Sequence, residues 1–250
     1  MNLDLTKGSI NEHIKTLAIP SSIGYFFHTM YNVTDTYFAG MLSTEAIASL
    51  SLSFSIFFAI LAVAGGMSQG VSALVGNAIG EKKSQQTKQL VLHAFFFAIF
   101  LALFLTTVGL LSAIPLLKIL GASGEYLDEA YAYISTILYG SSFFIGVMFC
   151  NALLTSIGDT KSFRNFLVVG FFLNIVLDFW FVKGGLSLPP LGIRGIAFAT
   201  ILIEAMGFFY LCYKLKHSIL LQDMPSFTFD KTIIYSFFTQ GLPATTNMVL

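Results

Sequence analysis

Long apolar runs separated by short charged stretches set the pattern of this chain. Read from charge to charge, the runs are Thr16 to Thr44, Ala46 to Gly80, Gln89 to Leu117, Ala130 to Gly158, Asn165 to Val182, Gly195 to Tyr213 and Thr232 to Leu250. A helix needs about 20 apolar residues to cross roughly 30 Å of hydrocarbon. Each run therefore predicts one membrane helix, six complete and a seventh begun. The Ala46 to Gly80 run is too long for a straight span, and its Ser68 to Gly80 end, rich in Gly, Ser, Gln and Asn, reads as a tilted or protruding continuation. The expected class is an all-α polytopic membrane protein. Its expected parts are a six-helix lobe over 1–217, a cytoplasmic linker over 218–231 and the loosely held start of helix 7 over 232–250.

Composition agrees with this class. Hydrophobic residues make up 56% of the chain and charged residues 10%, with 27 Phe and a mean hydropathy of +0.80. A water-soluble domain of that make-up would expose more apolar surface than water tolerates. The net charge of zero offers no basic field for nucleic acid. Cys150 and Cys212 fall in apolar runs and read as small buried thiols. Lys7 and Lys15 precede a stretch too long for a cleavable signal core, so the first span is expected to stay in the mature protein.

Lys and Arg positions give an orientation. The N-terminal tail and the even loops hold Lys7, Lys15, Lys82, Lys83, Lys88, Lys161, Arg164, Lys214, Lys216 and Lys231, and the odd loops hold Lys118, Lys183 and Arg194. Ten against three places the N-terminus in the cytoplasm of a multi-pass inner (plasma) membrane protein. Trp180 and Tyr37 then stand near the outer ends of their helices, as interfacial aromatics do.

Against this background Asp35 and Asp178 stand out. An aspartate at bilayer depth costs about 2.5–3.5 kcal/mol on the insertion scale, so it usually lines a solvated cavity. Both fall in the outer halves of helices 1 and 5, at similar depth. His28, Tyr31 and Asp35 share one face of helix 1, and Asn174 and Asp178 share one face of helix 5. Thr200 enters the outer half of helix 6, with Glu204 one turn deeper. Hard oxygen ligands of this kind suit Na⁺, and a carboxylate pair can also carry a proton. The competing reading is interhelical hydrogen bonding, which Asn174, Thr200 and Tyr31 could serve singly. Glu204 reads equally as a third proton site or a structural partner. His28 reads as a cavity-lining or packed residue, since no second His or Cys stands at ligand spacing.

Smaller signals fill in the picture. Gly66-x-x-x-Gly70 and Gly76-x-x-x-Gly80 read as close helix packing. Asn32-Val-Thr34 matches a glycosylation sequon but lies within a span. Pro20, one turn into helix 1, favours a bend that could swing the segment bearing Tyr31 and Asp35. Gly241-Leu242-Pro243 repeats Ala18-Ile19-Pro20 six helices later, which suggests that a second, parallel six-helix unit begins there.

Taken together, Pro20, Tyr31-Asn32-x-x-Asp35 with Gly40, the Gly65 to Gly80 segment before a Lys-rich loop, Gly158-Asp159-Thr160-Lys161, Asn174-x-x-x-Asp178 and Leu191-Gly192-x-x-Gly195-x-Ala197-x-Ala199-Thr200 resemble the multidrug and toxic compound extrusion (MATE) transporters. The resemblance implies two six-helix lobes that export organic cations in exchange for Na⁺ or H⁺, with no other cofactor and no enzymatic step. It places the amino-lobe cation site on Asp35, Asn174, Asp178 and Thr200, with Tyr31 and Asn151 lining the cavity. Membrane lipid, small organic cations and a carboxy-terminal lobe are the implied partners. His28 departs from the uncharged polar residue that prokaryotic members often carry.

Three rival readings fit less well. A lipid-linked oligosaccharide flippase of the same superfamily should carry an Arg-rich cavity, and this chain has only Arg164 and Arg194, both near loops. An intramembrane aspartyl protease would need a Gly-x-Gly-Asp sequence, which neither aspartate has. A seven-helix receptor needs its N-terminus outside. The orientation has a direct test: Lys83→Cys and Lys161→Cys should label with an impermeant thiol reagent only from the cytoplasm, and Lys118→Cys only from outside. The reverse pattern overturns the topology.

Overall fold

The computed structural model describes residues 10–185 and 188–249. Lys7, counted in the charge asymmetry, and Leu250, the end of the last run, lie outside them. The described chain is a helical bundle. Its long helices are α1 (Ile19–Leu42), α2 (Thr44–Gly80), α3 (Ser84–Ile119), α4 (Gly124–Ser156), α5 (Lys161–Lys183), α6 (Ile193–Lys216) and α7 (Lys231–Val249). Five of them, α2 to α6, are long and apolar enough to cross a membrane by length and composition. Helix α1 falls short because one turn after another carries a polar side chain: His28, Thr29, Asn32, Thr34, Asp35 and Thr36. Such a helix suits a wall between hydrocarbon and a polar cavity.

Helix α2 runs unbroken for 37 residues, so the polar Ser68 to Gly80 end does continue the span. Helix α3, at 36 residues, extends past its apolar run at both ends, and α4, at 33, starts six residues before its run and stops two short of its end. On α3, Phe96, Ile99, Phe100, Leu103, Phe104 and Leu111 form an exposed stripe at i, i+3/i+4 spacing, the face that hydrocarbon would cover. The opposite sides of α2, α3, α4 and α6 meet in one apolar core through Ile60, Phe97, Ile134, Leu138, Ile145 and Leu211.

Two pairs of helices matter most for the site. Helix α4 packs beside α6 with a nearly constant offset: a Cβ on Gly140 would meet Ile201, one on Gly146 would meet Phe208, and Cys150 Sγ lies 3.6 Å from Cys212 Sγ. Contacts that advance together in the same direction mean that the two helices run parallel. Helix α1 packs beside α5 in the same way, its Gly24 against Leu167 and the Arg164 backbone. That register carries Asp35, eleven residues further on, to the level of Asn174 and Asp178.

Backbone chemistry explains the α1 and α5 starts. Gly158, at φ +80°, adopts the left-handed turn that ends α4. Asp159 then accepts from the Ser162 N–H at 3.0 Å and the Ser162 hydroxyl at 2.6 Å, capping the first turn of α5. Pro20 has no N–H to pair with the Thr16 carbonyl, and the five residues before α1, Ile14–Ala18, widen into a π-turn. The Thr160 hydroxyl reaches that carbonyl at 3.4 Å. The irregularity expected at Pro20 is therefore a π-turn just before it, tied to the α4–α5 loop.

Two sequence expectations need correcting. Helix α7 is not loose: Phe237 is fully buried against Phe97, and the chain leading into it is strapped to α3. Lys88 Nζ donates to the Asp223 carbonyl at 2.8 Å, Gln89 Nε2 to the Ser226 carbonyl at 3.3 Å, and the Asp230 N–H to His93 Nε2 at 2.8 Å. His93 Nδ1 lies 2.8 Å from the Gln89 carbonyl, which fixes the hydrogen on that nitrogen. Aromatic contacts from Phe227 and Phe229 close over His93. The two glycine motifs also differ. Gly66 meets Thr245, and a Cβ on Gly70 would lie 2.6 Å from the Gly241 nitrogen, so that motif lets α2 and α7 backbones touch. A Cβ on Gly76 or Gly80 would meet nothing within 4 Å, so the second motif is not a packing seam.

Gly70→Leu should therefore force α7 away from α2 and lower stability by about 1–3 kcal/mol, the usual cost of overpacking, while Gly76→Leu changes little. Thermal midpoints of the two full-length variants check this, and equal midpoints overturn the packing assignment.

Candidate functional site

The site is built where α1, α5 and α6 converge. Asn174 is fully buried on α5, and both hydrogens of its amide are used: Nδ2 donates to Asp35 Oδ1 at 2.8 Å and to Asp178 Oδ2 at 3.1 Å. One neutral amide thus ties together two carboxylates. Asp178 is 0% exposed and Asp35 5%. From α6, Thr200 Oγ1 donates to the Ile196 carbonyl at 3.0 Å and stands 3.4 Å from Asp35 Oδ2. Tyr31, one turn before Asp35, lies within electrostatic reach of Asp35, Asp178 and Glu204 and beside Thr200.

Among the described residues, three buried oxygens in this cluster have no partner in hydrogen-bond geometry: Tyr31 Oη (beside Thr200), Asn174 Oδ1 and Asp178 Oδ1. Buried polar atoms are nearly always paired, so three orphans on neighbouring residues mark a place for a ligand that accepts oxygen contacts. Among the described residues no Lys or Arg side chain takes part, and the carboxylates' hydrogen-bond donors are an amide and a hydroxyl. Two like charges in so dry a setting need a positive charge between them, and either a cation or a proton supplies it.

The remaining sequence candidates sit elsewhere. Glu204, half-buried and one turn from Thr200, borders the cluster on the midplane side. His28 is exposed, two turns from Asp35, and its carbonyl accepts from Asn32 Nδ2 at 3.0 Å. Asn151 lies apart: in the α4–α6 register it comes level with Tyr213, thirteen residues or about 20 Å beyond Thr200. There it accepts from the Thr155 hydroxyl at 3.3 Å, so this lobe does not bring it to the carboxylates. Pro20 is at the opposite end of α1 from Asp35.

Sequence reasoning missed two features. Tyr133 of α4, buried, lies within electrostatic reach of both aspartates. A buried tyrosine among apolar neighbours gives no local signal. A second, open groove of about 680 Å³ runs along α1 beside Thr29, Asn32, Val33, Thr36, Tyr37 and Gly40, ending at Met41 and Ile47. Thr29, Asn32, Thr36 and Gly40 fall on one face of α1 within this lining, but the groove's surface is mostly apolar, and spacing alone does not tell such a face from lipid-facing helix surface.

Comparison with known proteins settles the family. The model of the MatE family matches residues 20–180, which includes Pro20, Asp35, Asn174 and Asp178. The chain belongs to the MatE family. Among curated relatives it is similar to the "Probable multidrug resistance protein NorM" of Thermotoga maritima, 31% identical over 206 residues that cover 82% of this chain and 44% of that protein. It is also 28% identical over 197 residues to the "FAD transporter" of Shewanella oneidensis, covering 79% of this chain and 44% of that one. Among solved structures, MATE in the bent conformation superposes with a TM-score of 0.88 at 26% identity, covering 97% of this chain and 54% of that chain. A MOP superfamily transporter from Pyrococcus furiosus superposes at 0.87 and 26% identity, covering all of this chain and 56% of the other. This MatE chain thus spans about half the length of the relatives it matches.

Asn174→Ala leaves two carboxylate oxygens of the cluster without their donor. It should lower stability by about 1–3 kcal/mol, the desolvation cost of a buried group left unpaired. Chemical or thermal unfolding of the full-length variant measures it, and a loss no larger than that of Asn151→Ala overturns the bridging role.

Proposed function

We propose that residues 1–217 form the amino-terminal lobe of a secondary antiporter, 218–231 the inter-lobe linker and 232–250 the start of the second lobe. The whole protein exports organic cations and other xenobiotics from the cytoplasm across the inner membrane in exchange for Na⁺ or H⁺. The observation that carries this reading is the buried pair Asp35 and Asp178, bridged by one amide and ringed by three unpaired oxygens. Family membership and the multidrug-resistance relatives support the transport class.

In the mechanism, the carboxylate pair holds the coupling ion. Asn174 keeps the two carboxylates together while its free Oδ1, Tyr31 Oη and Thr200 Oγ1 offer neutral oxygens to a cation. If the ion binds more tightly in the conformation that excludes drug, its arrival from outside expels the drug, and the coupling equals that difference in affinity. The π-turn before Pro20 is the joint at which α1 bends, carrying Tyr31 and Asp35. Relatives solved in a bent and in a straight conformation fit such a moving part. Cation–π and dispersion contacts from aromatic walls suit varied amphipathic cations. An oligosaccharide flippase is disfavoured by the cluster's acidic character, which would repel a pyrophosphate.

Export of ethidium by the full-length protein in proteoliposomes, driven by imposed Na⁺ or pH gradients, tests this. Asp35→Asn and Asp178→Asn should each cut gradient-driven export by about tenfold or more, on the order of a 1–3 kcal/mol coupling energy, with expression unchanged. Asn174→Ala and Thr200→Ala should act more mildly, and more under a Na⁺ gradient than a pH gradient if Na⁺ is the ion. Lost transport in Glu204→Gln with normal transport in Asp35→Asn would move the coupling site to α6.

A further inference from the structure

The sequence separates Cys150 and Cys212 by 62 residues, and the fold places their sulfurs in contact. Cys150 Sγ and Cys212 Sγ lie 3.6 Å apart, and both cysteines are free. The approach follows from the α4–α6 packing: Gly146, one turn before Cys150, has no side chain to hold Phe208 away, so the two parallel helices close together there. Reaching the roughly 2.05 Å of a disulfide bond asks for side-chain rotation and a small shift of the helices.

The two thiols differ in access. Cys150 is 3% exposed, walled in by the core. Cys212 is half-buried, and its neighbours Phe209 and Tyr213 are 64% and 60% exposed on the outer face of the bundle. A reagent dissolved in the hydrocarbon therefore meets Cys212 first, with Cys150 directly behind it.

We propose that Cys212 and Cys150 form a two-thiol oxidation site that consumes a hydroperoxide and closes reversibly into a disulfide between α4 and α6. The Cys212 sulfur attacks the peroxide, the O–O bond breaks, and ROOH leaves as ROH while Cys212 becomes a sulfenic acid. Cys150 then attacks that sulfur, the S–O bond breaks, and one water is released as the disulfide forms. Sulfur supplies both electrons and the peroxide takes them. Since both helices belong to one bundle, the bond staples that bundle internally.

Full-length protein in lipid vesicles, exposed to hydrogen peroxide in one arm and cumene hydroperoxide in the other, tests the proposal by alkylation and peptide mapping. The expected result is loss of alkylation at both positions together, recovery of a linked 150–212 peptide, and restoration of both thiols by dithiothreitol. In Cys150→Ser, Cys212 should stop at a sulfenic acid that dimedone traps. In Cys212→Ser, Cys150 should remain a free thiol. Elution as a monodisperse peak shows that each serine variant has folded. Faster reaction with cumene hydroperoxide would identify the bilayer as the source of oxidant, and faster reaction with hydrogen peroxide the water phase; either supports the site. Oxidation of Cys212 in the unsubstituted protein without a linked peptide overturns it, as does unchanged alkylation of both thiols in both arms.

Discussion

The amide of Asn174 is the contact on which the carboxylate site depends. It has two hydrogens, and each is spent on a different carboxylate, one on α1 and one on its own helix. Without it, two acidic groups would be buried with no donor between them, and the bundle would have to admit water or separate. With it, the carboxylates are held close while no Lys or Arg among the described residues neutralises their combined charge. That combination keeps the site firmly built but short of one positive charge.

The packing of the bundle serves that geometry. Gly24 lets α1 approach α5 at one end, and the parallel register then delivers Asp35 to Asn174 and Asp178 near the other. Thr200 is brought in by α6, whose own position is fixed against α4 at Gly140 and Gly146. The π-turn before Pro20 and the strap over His93 hold the opposite ends of α1 and α7. Close contacts through glycine thus set where polar side chains meet, and the abundant Phe and Leu fill the space between.

Much of this was legible in the chain. Runs of apolar residues located the helices because a membrane span has a minimum length, and a lone aspartate in such a run is conspicuous. Spacing put Asn174 and Asp178 on one face. What spacing does not carry is contact between distant segments. Whether Asp35 meets Asn174 depends on the α1–α5 register, which is written in a glycine eleven residues away. The same limit hid Tyr133, the contact of Cys150 with Cys212, and the distance of Asn151 from the carboxylates. Helix α7 was underestimated for a related reason: its anchors, Lys88, Gln89 and His93, belong to α3 and bond mostly to backbone of the linker, which no side-chain pattern reveals.

The central claim is that Asp35 and Asp178 together carry the positive charge that drives transport, and infrared difference spectroscopy of the full-length protein reads those carboxyl groups directly. Acidification should produce a protonated-carboxyl C=O band that disappears in the Asp35→Asn, Asp178→Asn double variant, and Na⁺ should suppress that band if it competes for the same pair. A band of undiminished strength in the double variant would contradict the account.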